Sequence, residues 1–365
     1  MLDIRIIYPY FAIVSTSVAC SILGSFLILK KKSMLVDAIS HSVLLGIVLS
    51  VLYQKDLSSS LLIIGATLTG LLTAYLSELL SNNKKVNEDA SIGIAFSFLF
   101  SIAVIIIGLN ISGIKEAHVD VDAALLGDPN LVTLSRIFNI LLVLILNIIF
   151  VLLCYKELKI ASFDKALAVS LGFSVGLINY TLITLVSLTA VVSFDAVGSI
   201  LVIALMIGPA STALLFTKNL FHSVLISILI AFLSAHIGYC LSILTDLPLS
   251  GLTAFIVLVL FLLVLFFAPI NGIIYKIFNH RFQKNIFSSV NLLMHIQNHN
   301  QKQKKIDIEK IPLDLKWSLK FYKKCLKFLF EKEYIKFKDN CIILTSKGKE
   351  FLYKKNEEFG VIINN

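Results

Sequence analysis

Residues 34–53 have the sequence MLVDAISHSVLLGIVLSVLY, in which Asp37 is the only carboxylate and His41 the only imidazole. A helix of about 20 apolar residues crosses the hydrocarbon core of a bilayer, which is about 30 Å thick. No water is available there to hydrogen-bond the backbone, so a helix is the structure that this stretch can adopt in lipid. The stretch predicts a transmembrane helix that carries two ionisable side chains.

Runs of the same kind recur along the chain as far as residue 275. We place nine spans at 8–29, 35–53, 60–80, 91–112, 134–154, 170–192, 195–216, 222–244 and 251–275. Only Ser193, Phe194 and Asp195 interrupt the apolar sequence between the sixth and seventh spans, so eight or ten spans remain alternatives. The expected fold class is an all-α polytopic membrane bundle.

The overall composition agrees with a protein solvated by lipid. Of the 365 residues, 57% are apolar and 15% are charged, and the mean hydropathy is +0.89. Ordinary soluble domains are about 45–50% apolar and about 25% charged, so a soluble enzyme is excluded. No GxxxxGK[ST] phosphate loop and no HExxH motif occurs, so the sequence indicates a non-enzyme that does not hydrolyse ATP by itself.

Charge placement divides the chain and orients it. Residues 1–275 carry 13 basic and 14 acidic side chains, whereas residues 276–365 carry 19 and 9, which predicts a basic, water-facing tail. Lysines follow the odd-numbered spans, namely Lys30, Lys31, Lys32, Lys84, Lys85, Lys156, Lys159, Lys165 and Lys218. Because short cytoplasmic loops carry the excess of lysine and arginine, the N-terminus is expected outside and the C-terminus in the cytoplasm.

The two ionisable residues of the second span form the first candidate site. Asp37 and His41 are four residues apart and therefore lie on one face of a helix. A carboxylate and an imidazole that converge at membrane depth suit a divalent cation such as Mn²⁺, Zn²⁺ or Fe²⁺. Alternatively, Asp37 complements the positive end of its helix and His41 bonds a neighbouring carbonyl, and spacing alone does not decide between the two.

Other polar residues are candidates for an entrance or gate. The loop EAHVDVDAALLGDPN places His118, Asp120 and Asp122 at alternate positions, which share one face if the loop is extended. The simpler interpretation is that this loop is solvated or forms a short helix packed across the mouth of the bundle. Asp195 and His236, expected near the outer ends of the seventh and eighth spans, are further candidates, although a lone histidine is more often a hydrogen-bonded packing residue.

Five motifs in series give the chain a family resemblance. They are MLVDAISHSVLLG, EDASIGIAFSFLF, DVDAALLGD, IASFDKALAVSLGF and FDAVGSILVIALMIGPASTALL. Together they resemble the manganese/zinc/iron permease family of bacterial ABC importers. The resemblance implies a type II importer bundle in the inner membrane, with Asp37 and His41 at the metal and no permanently bound cofactor. It also implies three partners: a cytoplasmic ABC ATPase, an extracytoplasmic metal-binding protein and a second permease copy or paralogue.

The resemblance further implies an ATPase-coupling role for the segment after the fifth span. The matching residues are Phe163, Asp164, Lys165, Ala166, Leu167, Ala168, Leu171 and Gly172. The charges place this segment in the cytoplasm. We expect one short helix in which Phe163, Leu167 and Leu171, spaced by four, form an apolar stripe that fits a groove on the ATPase.

The predicted domains are a permease domain at 1–276, a connecting helix at 277–305 and a basic winged-helix-like domain at 306–365. In the last domain, Tyr334, Ile335 and Phe337 are expected to pair with residues 342–344 in a hairpin around Asp339 and Asn340. Lysines there could contact nucleic acid, but docking on a partner or regulation ranks higher for a tethered domain. Two other functions remain open: a membrane-tethered, metal-responsive transcription regulator and an ATPase-independent metal carrier.

Overall fold

A computed structural model describes residues 4–54, 60–81, 86–109, 132–269, 272–301, 311–338 and 341–359. The chain divides into two compact units, Met1–Gly272 and Ile273–Asn365. Each unit has its own hydrophobic core. The two units are therefore described separately.

The first unit is helical throughout its described residues. Its eleven helices are α1 (Ile4–Leu29), α2 (Met34–Gln54), α3 (Ser60–Ser81), α4 (Glu88–Gly108), α5 (Leu134–Leu153), α6 (Tyr155–Phe163), α7 (Lys165–Ser170), α8 (Val175–Val197), α9 (Ser199–Phe216), α10 (Leu220–Thr245) and α11 (Leu249–Phe267). Within the described ranges, nine of these, all except α6 and α7, are long and apolar enough to cross a membrane. The prediction of nine spans in an all-α membrane bundle is confirmed.

The break between the sixth and seventh spans lies later than the sequence predicts. Helix α8 continues through residues 193–195 and ends at Val197, and α9 begins after Gly198. Gly198 has a φ of 83°, a left-handed conformation that glycine adopts without the steric cost of a Cβ atom. Asp195 consequently belongs to the last turn of α8, directly after the sixth span ends at Phe194, and its expected position at the start of the seventh span was wrong.

Small residues allow the helices of the first unit to approach closely. A Cβ atom built on Gly24 of α1 would lie 1.8 Å from the carbonyl oxygen of Met206 in α9, so only glycine fits at this crossing. Polar side chains also connect helices: the Asn147 amide of α5 donates to the Thr189 hydroxyl of α8 over 2.9 Å. Lipid tails are as apolar as the side chains, so the hydrophobic effect does not drive helices together inside a membrane. Close packing and interhelical hydrogen bonds hold them together instead.

The second unit combines helices with one hairpin. Its elements are α12 (Ile273–Gln301), α13 (Ile311–Asp314), α14 (Leu319–Glu331), β1 (Ile335–Lys338), β2 (Cys341–Leu344) and α15 (Ser346–Phe359). The strands are antiparallel, with Ile335 opposite Leu344, which confirms the predicted hairpin. Leu293 of α12 and Leu329 of α14 are fully buried in the core of this unit. The connecting helix therefore belongs to the second unit, and the winged-helix assignment stays a prediction.

Candidate functional site

Asp37 and His41 lie together at the N-terminal end of α2. Asp37 is in the first turn, and four residues later His41 places its Nε2 atom 3.6 Å from Asp37 Oδ1. The side chains are 42% and 36% exposed, respectively, so neither is sealed inside the helix bundle. We call the two groups the metal pair, after the cation that the sequence predicts there.

Two aromatic rings of α4 form a wall beside the metal pair. The His41 ring stacks on Phe96 with centroids 5.7 Å apart, and it meets Phe100 edge to face at 5.9 Å. These contacts restrict rotation of the imidazole and keep it near the Asp37 carboxylate. Neither phenylalanine was predicted from the sequence, although their spacing of four in EDASIGIAFSFLF places them on one helix face.

The metal pair supplies one oxygen and one nitrogen ligand. Among the residues that the structure describes, no group of three or more His, Cys, Asp or Glu side chains could hold a metal ion. From the described residues, a cation at the metal pair would therefore receive these two ligands. Such incomplete coordination suits temporary binding better than permanent retention, because few protein ligands have to be exchanged on release.

Of the predicted gate residues, the structure describes the side chain of His236 alone. His118, Asp120 and Asp122 lie outside the described residues. Asp195 is in α8, but its side chain is also outside the described part. His236 lies on α10, where its Nδ1 atom is 3.2 Å from the Tyr10 hydroxyl of α1. The described neighbours of His236 are therefore different from those of Asp37 and His41.

Residues 163–172, which we call the coupling segment, do not form one helix. They contain the last residue of α6 and the whole of α7. Helix α6 ends at Phe163, and Asp164 then caps α7 by accepting a 3.0 Å hydrogen bond from the Leu167 amide. The prediction of a continuous helix was wrong because this cap starts a new helix within the segment. Gly172, with a φ of 84°, follows α7.

All three residues of the expected apolar stripe are exposed, although the helix is broken at Asp164. Phe163, Leu167 and Leu171 are 62%, 49% and 55% exposed, which is unusual for large apolar side chains outside the lipid-facing spans. Ala168 is fully buried and packs with Ala161 and Val175, so it anchors the segment to the bundle. The segment therefore presents apolar side chains on a fixed support.

A cavity of about 320 Å³ adjoins the coupling segment and is lined by several charged groups. They are Lys30, Lys31, Lys32, Glu78, Glu88 and Lys165. The Lys30 ammonium donates a hydrogen bond to the amide oxygen of Asn179. Burial, followed by repulsion from Lys32 and Lys165, lowers the pKa of Lys30 to about 8. The basic groups form a positive end of the bundle beside the coupling segment.

The lowered pKa predicts a pH-dependent stability. Between about pH 8 and about pH 10, folded Lys30 binds fewer protons than the unfolded chain, so stability should rise with pH across this window. In the purified protein, the thermal unfolding temperature should increase over this range. The increase should be smaller in Lys30→Met and unchanged in the control Lys31→Met, at an exposed neighbouring lysine. Identical pH profiles for both variants would contradict the assignment.

Comparison with known proteins decides the family. Residues 6–268 match the sequence profile of the ABC 3 transport family. The chain belongs to this family. The match covers the membrane unit and ends before the second unit, so it says nothing of the winged-helix prediction.

Two of the relatives of this ABC 3 family member show which metals such proteins are named for. The manganese transport system membrane protein MntD of Bacillus subtilis is 41% identical over 72% of this chain and 92% of its own length. The zinc transport system membrane protein TroD of Treponema pallidum is 37% identical over 78% of this chain and 80% of its own length. Neither name includes iron, so the resemblance to iron permeases has no support from these relatives.

A solved structure supports the fold of the membrane unit. The structure of PsaBC from Streptococcus pneumoniae in complex with Fab matches with a TM-score of 0.63 and 27% identity, over 72% of this chain and 92% of that chain. The ABC 3 family member is accordingly a multi-pass membrane protein with an ABC permease fold. The comparisons favour neither the membrane-tethered regulator nor the ATPase-independent carrier.

Proposed function

We propose that this protein is the permease subunit of an ATP-driven importer for Mn²⁺ or Zn²⁺. The main support for the proposal is the metal pair, in which a carboxylate and an imidazole lie 3.6 Å apart and are partly exposed on a candidate transmembrane helix. Ionisable side chains are costly inside a membrane and usually mark a substrate pathway. The relatives named for manganese and zinc transport support these two cargoes.

The chemistry of the metal pair suits both cations. Carboxylate oxygen favours Mn²⁺, imidazole nitrogen favours Zn²⁺, and both metals accept both ligand types. The Asp37 charge offsets part of the desolvation cost of a divalent cation, and His41 adds a neutral donor. With two protein ligands, binding is weak enough for the ion to leave again.

The exposed stripe of the coupling segment is the proposed contact for a cytoplasmic ABC ATPase. Its large apolar side chains, held on the buried Ala168, can enter a groove on the partner and transmit its movement to the helices. In this proposal the coupling segment and the C-terminus lie in the cytoplasm and the N-terminus lies outside the inner membrane, as the lysine distribution predicts. An extracytoplasmic binding protein would deliver the metal, and a second permease chain would complete the pathway.

Transport by the reconstituted protein tests the proposal. Proteoliposomes that contain the chain, its ATPase and its binding protein should accumulate Mn²⁺ or Zn²⁺ only when ATP is supplied on the ATPase side. Vesicles without the ATPase are the control and should show background uptake. Equal uptake without ATPase would identify a carrier and overturn the proposal.

A further inference from the structure

A second group of metal-binding side chains lies away from the metal pair. His236 and Cys240 are one turn apart on α10, and His236 Nε2 is 4.0 Å from Cys240 Sγ. Both side chains are exposed. On the other side of the imidazole, Nδ1 lies 3.2 Å from the hydroxyl of Tyr10. The Nε2 atom of His236 and the Sγ atom of Cys240 therefore lie close together, and the Nδ1 atom of His236 has Tyr10 as its partner.

This geometry is close to that of a zinc site. Zinc binds thiolate sulfur at about 2.3 Å and imidazole nitrogen at about 2.0–2.1 Å in tetrahedral geometry, which places the two ligands about 3.5 Å apart. The observed 4.0 Å needs only a small side-chain adjustment. Metal-bound histidines commonly donate their other N–H to a fixed partner, and Tyr10 is positioned to accept that bond.

The group lies near one end of the membrane unit. Tyr10 follows the start of its span at Ile7 by three residues, or about 4.5 Å along the helix. Its ring also lies 5.1 Å from Tyr239, and tyrosines concentrate at the boundary between membrane and water. At the other end of α1, Lys30 shares its cavity with Lys165 of the coupling segment. The group is therefore nearer the end of α1 that is opposite the coupling segment.

We propose that His236 and Cys240 form a second metal site, for a borderline-soft divalent cation such as Zn²⁺. Thiolate sulfur disfavours Mn²⁺, which prefers oxygen ligands, so this site would distinguish the two metals where the metal pair accepts both. Water would complete the coordination, because the described residues place no third His, Cys, Asp or Glu in the group. The inference concerns binding and does not require the chain to transport.

Cadmium is a suitable probe because its bond to a thiolate gives an ultraviolet charge-transfer absorption. Titration of the purified full-length protein with Cd²⁺ should produce a band that saturates at one equivalent. Cys240→Ser should abolish this component. Tyr10→Phe should keep it but weaken the affinity about tenfold, as expected for loss of a partner to a ligating histidine.

Three controls separate this site from other parts of the protein. Cys154→Ser removes a half-buried thiol of the first unit and should leave the band unchanged. Asp37→Asn alters the metal pair, which contains no sulfur, and should also leave it unchanged. His236→Ala should weaken Cd²⁺ binding at least as much as Tyr10→Phe. An unchanged band in Cys240→Ser, or unchanged affinity in His236→Ala, would show that the cluster is only an aromatic boundary anchor.

Discussion

Replacement of Asp37 by asparagine is expected to reduce metal transport at least about a hundredfold, since even the partners of metal ligands contribute about 10- to 100-fold to affinity. The amide removes the negative charge that offsets the desolvation of the cation, and it retains nearly the same size. Asp37 is 42% exposed, so the substitution leaves no buried unpaired group and the protein should still fold. Uptake of Mn²⁺ or Zn²⁺ into ATP-loaded proteoliposomes measures the effect.

The matched control for this experiment is Asp89→Asn. Asp89 is another acidic residue in the first turn of a membrane helix, α4, and it is exposed. Its replacement removes the same charge at a similar helix position but leaves the metal pair intact. Transport should fall in Asp37→Asn alone. Normal uptake by Asp37→Asn, or an equal loss of uptake in the control, would show that the metal pair has no specific role in transport.

Replacement of Leu167 by aspartate is expected to weaken association with the ATPase about thirtyfold or more, equivalent to about 2 kcal/mol. The substitution places a charge at the centre of the apolar stripe, where docking would strip it of water. Leu167 is 49% exposed in this chain, so folding of the permease should change little. Co-purification and metal-stimulated ATP hydrolysis by the complex measure the effect.

Val169→Asp provides the control for the coupling segment. Val169 is 60% exposed on the same short helix as Leu167. Because Val169 comes two residues after Leu167, its side chain points to the opposite side of the helix. If the stripe is the contact, this second aspartate should leave ATPase association close to wild type. Equal weakening by both variants would mean that charge anywhere in the segment is disruptive, and association unaffected by Leu167→Asp would place the ATPase contact elsewhere.

The membrane bundle was predictable because its strongest signal is local. A run of about 20 apolar residues must become a helix in lipid whatever its neighbours are. The break between α8 and α9 was less predictable. Polar Asp195 interrupts the apolar pattern, but the chain turns at Gly198, where the backbone needs a positive φ. Residue polarity and backbone conformation are different properties, and only the second ends a helix there.

The sequence was sufficient to predict the nine spans and the spacing of Asp37 and His41, because helical periodicity acts over a few residues. It could not show that Phe96 and Phe100 confine the imidazole, that Asp164 divides the coupling segment, or that Tyr10 reaches His236. The phenylalanines and Tyr10 meet their histidines only through packing between helices distant in sequence. An aspartate can cap a helix or lie within one, so the identity of Asp164 alone does not show that a new helix begins there. Contacts between helices therefore determine which partners His41 and His236 have, and these contacts do not follow from helical periodicity.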